Sequence, residues 1–258
     1  MLADLTRDDW LGILGLERDD APSALIMRGT RNLKARLAQH RGLLTDAREL
    51  GSPNGIFEDI LVGRHDGARI AIACVYGPAM ASEIAHVFSV IGVPRIILTG
   101  CCGALLPGIA AGDIIAPDAA FPGDGASQYY GAEGGALVPA DPALHRIAAT
   151  RLGCSAWPAH RGSIYTTSAL CAESAADIRT WAGDGHIAVD METATTYAVA
   201  RHFGVPAVAM LFVFDCLAAG ETVALTDEDK ARRRAEGEAL MISIALELAS
   251  AARIEEPS

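Results

Sequence analysis

The chain is poor in aromatic residues: 5% of its 258 positions are Phe, Trp or Tyr, although 51% are hydrophobic. Its core must therefore come mostly from Ala, Val, Ile and Leu, which suits buried parallel strands covered by Ala-rich helices. It also lacks any apolar run of the ~18 residues a membrane span needs, so no membrane partner is expected. With a mean hydropathy of +0.26, the surplus apolar surface points instead to subunit contacts, and a homo-oligomer is expected. Positive charge is scarce. A net charge of −11 argues against nucleic acid as a partner, because phosphate backbones are held by basic faces. The one basic run, Arg232-Arg233-Arg234, closely follows Asp227-Glu228-Asp229-Lys230 and reads as a solvated helix face of mixed charge. Six cysteines (Cys74, Cys101, Cys102, Cys154, Cys171 and Cys216) lack metal-ligand spacing, and His65, His86 and His202 form no metal pattern. Neither a metal nor a cofactor is expected. The first nine residues carry no basic segment and no signal-type apolar core, so a cytoplasmic setting with reduced, buried thiols is the expectation.

What is present alternates between strand and helix patterns. Residues 24–28 form a short strand punctuated by Gly29, and residues 33–43 have helical spacing. Residues 60–75 read as two strands joined at Asp66-Gly67. An amphipathic helix over 82–91 is closed by Gly92-Val93-Pro94, and a buried strand over 95–99 runs into Gly100-Cys101-Cys102-Gly103. Then come an apolar segment at 113–117, a Gly-rich loop reaching Gly135, a helix over 142–152, a strand near 163–167 and a helix over 174–182. A long helix over 227–252, capped by Thr226, ends the pattern. No repeat or linker interrupts this order, which predicts one α/β domain.

Residues 187–215 are the most informative. They read as strand, helix, strand, with Asp190-Met191-Glu192 after the first strand and Asp215 after the second. Ligands of open α/β sheets sit beyond the carboxyl ends of the strands, so acids placed there suggest a small-molecule site. Glu192, in the first helical turn, is either a capping partner or a bidentate acceptor for vicinal hydroxyls. Asp215 either turns the chain or, partly buried with a raised pKa, protonates a leaving group. The Gly100–Gly103 segment either offers backbone N–H groups to an anion or sugar oxygen, or is a plain turn. Cys101 and Cys102 have no basic activator near them in sequence and read as packing residues. The loop Gly123-Asp124-Gly125-Ala126-Ser127-Gln128-Tyr129-Tyr130 either covers a pocket or is ordinary surface.

Together these segments resemble the nucleoside phosphorylase and nucleosidase superfamily, in its purine nucleoside, uridine and methylthioadenosine branch. The most specific piece is Val189-Asp190-Met191-Glu192 with Asp215 placed 23 residues beyond Glu192, similar to a V-E-M-E box followed by an S-D pair. Gly100-Cys101-Cys102-Gly103-Ala104 is similar to a G-S-C-G-A turn, and Gly112-Asp113-Ile114-Ile115 to the G-D-(V/I)-(V/I) that follows it. The loop at 124–130 is similar to an E-G-T-S-x-H-Y loop. The resemblance implies a single three-layer α/β/α domain over 23–253, with a central, mostly mixed twisted sheet and a lead-in over 1–22. It implies cleavage of the N-glycosidic bond of a purine-type nucleoside. Glu192 would bind the ribose hydroxyls, Met191 would pack under the sugar, and Asp215 would protonate the purine near N7. Thr167, Leu170, Val189 and Phe214 would surround the base; Gly29, Lys34, Thr99, Gly100 and Cys101 would form the anion or nucleophile end. Members form dimers, trimers or hexamers, with nucleoside and phosphate as small-molecule partners.

The departures lie at the nucleophile end. Leu33 and Leu98 stand where phosphorylases carry arginine, Cys101 replaces Ser or Thr, and Lys34 replaces the water-activating Glu of nucleosidases. Arg28, Arg31, Lys34 or Arg48 are the candidate compensating cations. Phe214 replaces the Ser before the catalytic Asp, and Glu228 stands where an assisting Arg is found, with Lys230 or Arg232 as substitutes. A neutral site desolvates a phosphate dianion at a cost of several kcal/mol, which tilts the expectation toward hydrolysis. The alternatives are a nucleoside-binding protein without turnover and a transferase using an acceptor other than phosphate.

Overall fold

Thr6 and Asp9 form a reciprocal capping box that starts the first helix, α1 (Arg7–Leu14), and Gly15 ends it in the left-handed conformation. The computed structural model describes residues 1–51, 56–132, 135–221 and 227–252. Beyond α1 the chain runs through β1 (Leu25–Gly29), α2 (Leu33–Arg41), β2 (Thr45–Leu50), β3 (Ile60–His65), β4 (Ala68–Val75), α3 (Gly77–Ile91) and β5 (Ile96–Ala104). It continues with β6 (Ile114–Gly123), β7 (Val138–Pro139), α4 (Pro142–Cys154), β8 (Ala159–Thr167) and α5 (Ala175–Gly183). The last elements are β9 (Ala188–Asp190), α6 (Thr193–His202), β10 (Ala207–Cys216) and α7 (Glu228–Ser250).

These strands make one mixed sheet in the order β10-β6-β8-β9-β5-β1-β4-β3-β2, with β7 on the edge of β6. β10 also pairs with β5, so β5, β10, β6, β8 and β9 close into a ring while β1 to β4 extend from it as an open sheet. β1, β5 and β10 are parallel neighbours, and their carboxyl ends point the same way. Every residue of β1 is buried because helices cover both faces. Leu25 and Met27 join one apolar cluster with α1, α3 and α6; Ile26 joins the other with α2, α4 and α7. The result is the three-layer α/β/α arrangement with a mixed central sheet.

Several segments differ from the sequence reading. Gly100–Gly103 is not a turn: β5 runs straight through it to Ala104, paired with β10 along this stretch and with β9 from Gly103 on. Pairing with β10, joined by β9 at Gly103, holds the glycines extended and overrides their turn preference. β2 gave no apolar signal because it is an edge strand whose residues are mostly exposed. α3 begins at Gly77-Pro78, several residues before the amphipathic stretch, with proline in the first turn. Within the lead-in, Trp10, Leu11, Leu14 and Leu16 are buried in the same cluster as α3. Thr226 lies outside the described residues; the α7 cap is Asp227, which accepts from the Lys230 N–H. Among the described residues, no helix is long and apolar enough to cross a membrane.

Candidate active site

Glu192 is the N-cap residue of α6, one position before the first turn, yet its side chain does not cap the helix. Asp190 does. Its Oδ2 accepts from the Glu192 N–H (3.1 Å), the Thr193 N–H (2.8 Å) and the Thr193 hydroxyl (2.6 Å). Its Oδ1 accepts from the Thr166 hydroxyl at 2.7 Å. With the helix start satisfied by Asp190, the Glu192 carboxyl is released to reach across the sheet. There its Oε1 accepts from the Gly77 N–H at 2.7 Å, at the start of α3, and its Oε2 lies against Gly29 at the end of β1. Gly77 has a φ of +77°, which aims that N–H inward. The Cε of Met191 lies near the same glycine. Burial and the Asp190 charge push the Glu192 carboxyl up to about 8.

Asp215 reaches the site by a break in strand register. β10 pairs with β5 evenly from Ala207↔Ile96 to Val213↔Cys102, then slips at Phe214, so that Asp215 faces Gly103. Its Oδ1 approaches the face of Gly103. Burial pushes its carboxyl up to about 6, opposed by the nearby Arg234 and helped by Glu221. Arg234 is buried on α7, donates from Nε to the Phe214 carbonyl at 2.6 Å, and places its guanidinium 4.0 Å from the Phe214 ring centroid. Sequence reasoning looked for this cation at Lys230 or Arg232. Lys230 instead pairs with Glu221, and Arg232 with Asp229 and Glu236. The basic run is likewise not a solvated face: Arg234 is buried, and Arg233 binds Asp113 at 2.7 Å and covers Trp157. Only the phase of α7 separates these roles.

Between the two acids lies the middle of β5. Cys101 presents accessible surface there, and the charges of Arg28, Glu192, Asp215 and Glu238 all act on its sulfur, which marks the point where the site converges. Burial pushes its thiol up to about 11, so it is protonated and a poor nucleophile at neutral pH. Gly100 backs onto Gly29. Thr99 is fully buried, and its hydroxyl donates to the Met27 carbonyl at 3.1 Å, so it is spent inside the sheet. Lys34 is exposed on α2, where its charge acts on Asp59. Arg28 is 2% exposed, pairs with Glu238 at 2.5 Å, and has Nε and Nη1 buried with no hydrogen-bond partner. Arg31 sits over the Tyr76 ring, and Arg48 binds the Gly15 carbonyl.

Val189 pairs with Gly103 and with Tyr165, which puts it in the same row of strands as Asp215. Thr167 ends β8, and Leu170 opens the short turn after it with 36% of its surface exposed. Phe214 is half-buried at the register slip. The loop after β6 is held closed by Asp124, which accepts from the Ala126 and Ser127 N–H groups and the Ser127 hydroxyl, and Tyr130 meets His86 at 3.1 Å. A separate cavity of about 310 Å³, lined by Asp141, Tyr197 and Arg201, opens near the start of β10 and holds none of the candidate site residues. Among the described residues, no group of three or more His, Cys, Asp or Glu could hold a metal ion.

The arrangement places two buried carboxyls, Glu192 and Asp215, where both act on Cys101 of β5. A model of the family described as Phosphorylase superfamily matches residues 25–249. A DeoD-type purine nucleoside phosphorylase from Caldanaerobacter subterraneus subsp. tengcongensis is 27% identical over 239 residues, covering 92% of this chain and 98% of that protein. A guanosine phosphorylase from Halorubrum lacusprofundi is 27% identical over 221 residues, 85% of this chain and 89% of its own. The crystal structure of uridine phosphorylase from Vibrio fischeri has the same fold, with a TM-score of 0.77 over 90% of this chain and 94% of that one at 19% identity.

Proposed function

This chain belongs to the phosphorylase superfamily, and from that premise we propose that it is an enzyme cleaving the N-glycosidic bond of a purine-type nucleoside. The observation that carries the reading is the pair of buried acids, Glu192 and Asp215, held on either side of the Cys101 stretch of β5. Glu192 takes the ribose hydroxyls, with Met191 under the sugar. Asp215 is the catalytic acid: as the C1′–N9 bond breaks, its electron pair leaves with the base, and the Asp215 proton goes to N7. Thr167, Leu170, Val189 and Phe214 surround that base. The sugar carbon becomes oxocarbenium-like, and the carboxylate left at Asp215 stabilises its charge.

Water is the acceptor we favour. Its oxygen bonds to C1′, and the proton it releases passes through solvent to the carboxylate left at Asp215, which restores the acid. Leu33, Leu98 and the protonated Cys101 give a phosphate dianion no charged donor, Lys34 is exposed on α2, and the Thr99 hydroxyl is spent inside the sheet. One observation favours phosphate instead: Arg28 has two N–H groups without partners beside Cys101. A panel of nucleosides incubated with and without phosphate, followed for free base and ribose 1-phosphate, separates the two. Base release independent of phosphate is expected; turnover only with phosphate transfers the role to Arg28, and no turnover in either buffer removes the enzymatic reading. A homo-oligomer in the cytoplasm remains part of the proposal, supported by the apolar composition and by exposed Ile56 and Leu137.

A further inference from the structure

Arg28 carries a buried charge that neither acid of the cleft pairs with. Alternation along β1 sends its side chain to the face covered by α2 and α7, the face that Ile26 also joins. Glu238 meets it there, one turn of α7 beyond the inward-facing Arg234. The Glu238 Oε1 accepts from Arg28 Nη2 at 2.5 Å and lies 2.9 Å from Nη1 of Arg36 on α2. Two guanidinium groups thus share one carboxylate oxygen. His40, packed beside them, is held below its usual pKa by burial and is neutral at pH 7, and the buried Cys74 thiol is neutral as well. This group of side chains keeps one positive charge in excess, and Arg28 Nε and Nη1 have no hydrogen-bond partner among the described residues. The excess lies at the nucleophile end. Arg28 pairs with Thr99 of β5, and Cys101 stands two residues further on the same face. The guanidinium is 5.5 Å from the ring centroid of Phe212, the β10 residue paired with Cys101. Cys101 is exposed, whereas the Arg28 and Glu238 side chains are only 2% and 14% exposed.

We propose that Glu238 is a specificity-determining residue for the acceptor: its carboxylate fills, from within the chain, the place where Arg28 and Arg36 would hold inorganic phosphate, and so leaves C1′ to water. This rests on the nucleoside-cleaving reading above. The physical argument is competition for one pair of cations. Guanidinium groups bind carboxylate and phosphate oxygens in the same forked geometry. A carboxylate already fixed in contact has no association step, whereas free phosphate loses translational and rotational freedom on binding. Removing the Glu238 charge leaves two covered guanidinium groups uncompensated, and a phosphate dianion is a ligand whose charge completes them. With phosphate held there, one of its oxygens bonds to C1′ as the C1′–N9 bond breaks. The electron pair leaves with the base, and N7 takes the Asp215 proton. The proton released as hydrogen phosphate becomes the ribose 1-phosphate dianion restores Asp215.

The test measures phosphate binding by calorimetry, and nucleoside cleavage with and without phosphate, in the full chain and in Glu238→Ala. The wild type should release base at the same rate in both buffers and bind phosphate at least about tenfold more weakly than the variant. Glu238→Ala should bind phosphate with a Kd of about 1 mM or tighter, form ribose 1-phosphate, and melt at a higher temperature as phosphate is added. Glu238→Gln keeps the shape of the side chain and removes only its charge; it should shift in the same direction and carries the test if Glu238→Ala does not fold. Combining Arg28→Met with Glu238→Ala removes charge from both sides and should lose the phosphate response again. An ion pair of purely structural role would lower the melting temperature of each single variant with no response to phosphate, and that result overturns the inference. So does a response that survives in the double variant, or wild-type turnover only with phosphate. Should the wild type cleave no nucleoside in either buffer, the cleavage reading fails, while the phosphate affinities of the wild type and the Glu238 variants still decide the role of Glu238.

Discussion

A side-chain carbon on Gly29 would lie 2.9 Å from Glu192 Oε2 and 3.2 Å from its carboxyl carbon. The glycine at the end of β1 is therefore set by a carboxylate that arrives from α6, not by its own backbone, whose conformation other residues adopt freely. Gly29→Ala should leave the fold intact and push Glu192 off its Gly77 N–H. A displacement near 1 Å at a binding group can cost up to about 100-fold. The expected outcome is a loss of kcat/KM of about 10- to 100-fold on ribosides, with a melting temperature close to the wild type. A strong loss of stability instead would mean that the methyl group disrupts β1 and not the carboxylate.

Glu192→Gln keeps the shape and the Gly77 contact but weakens the acceptor offered to vicinal hydroxyls. Ribosides should lose about 2- to 10-fold in kcat/KM at neutral pH, the range for a neutral hydrogen bond, because burial keeps Glu192 largely protonated there. A 2′,3′-dideoxy nucleoside has no hydroxyls to lose and should be nearly indifferent to the change. Equal losses on both substrates, measured side by side, would assign Glu192 a structural role.

How much of this site could be read from the residues depends on distance along the chain. Glu192 and Asp215 stand out because they end adjacent strand-like runs, and the alternation of elements gave the layers of the fold. Two adjacent acids at a helix start look alike in sequence, however. That Asp190 caps α6 and frees Glu192 is decided by side-chain direction, seen only when Thr166 of β8 is alongside. Gly100–Gly103 read as a turn because local preference was all there was to judge; β10 and β9 make it a strand. Arg234 was missed for a similar reason, since the inward face of α7 is fixed by packing on β10.

Asp215 and Arg234 predict a pH profile. The acid works only when protonated, so kcat/KM should fall as pH rises above about 6. Arg234 favours the ionised form and holds this pKa down, so removing the cation must raise it. Arg234→Met should move the alkaline limb to higher pH, and Arg234→Lys should leave it near the wild type. Asp215→Asn should abolish the limb and lower the rate by about 10²- to 10⁴-fold with nucleoside binding retained. A limb that stays in place in Arg234→Met would show that Asp215 is not the group it reports.

Tyr197 tests the ring of strands. β6 and β10 pair only at Leu211↔Ile115 and Phe212↔Ile114, and β6 shifts register between Pro117 and Ala119 along its other edge. Where the two strands part, the Tyr197 hydroxyl donates to the Pro117 carbonyl at 3.1 Å and accepts from the Ala209 N–H at 3.0 Å. The side chain is 1% exposed, so Tyr197→Phe leaves a buried carbonyl and a buried N–H without partners. Each such group costs about 1–3 kcal/mol when water cannot replace the lost bond. The nearby cavity of about 310 Å³ is also lined by Tyr197 and has room for water, which can rescue part of that loss. Urea denaturation should therefore show a destabilisation of about 1–3 kcal/mol with an unchanged m-value. A change within about 0.5 kcal/mol, the scatter of surface substitutions, would mean that water bridges the strands and that the hydroxyl does not hold the ring closed.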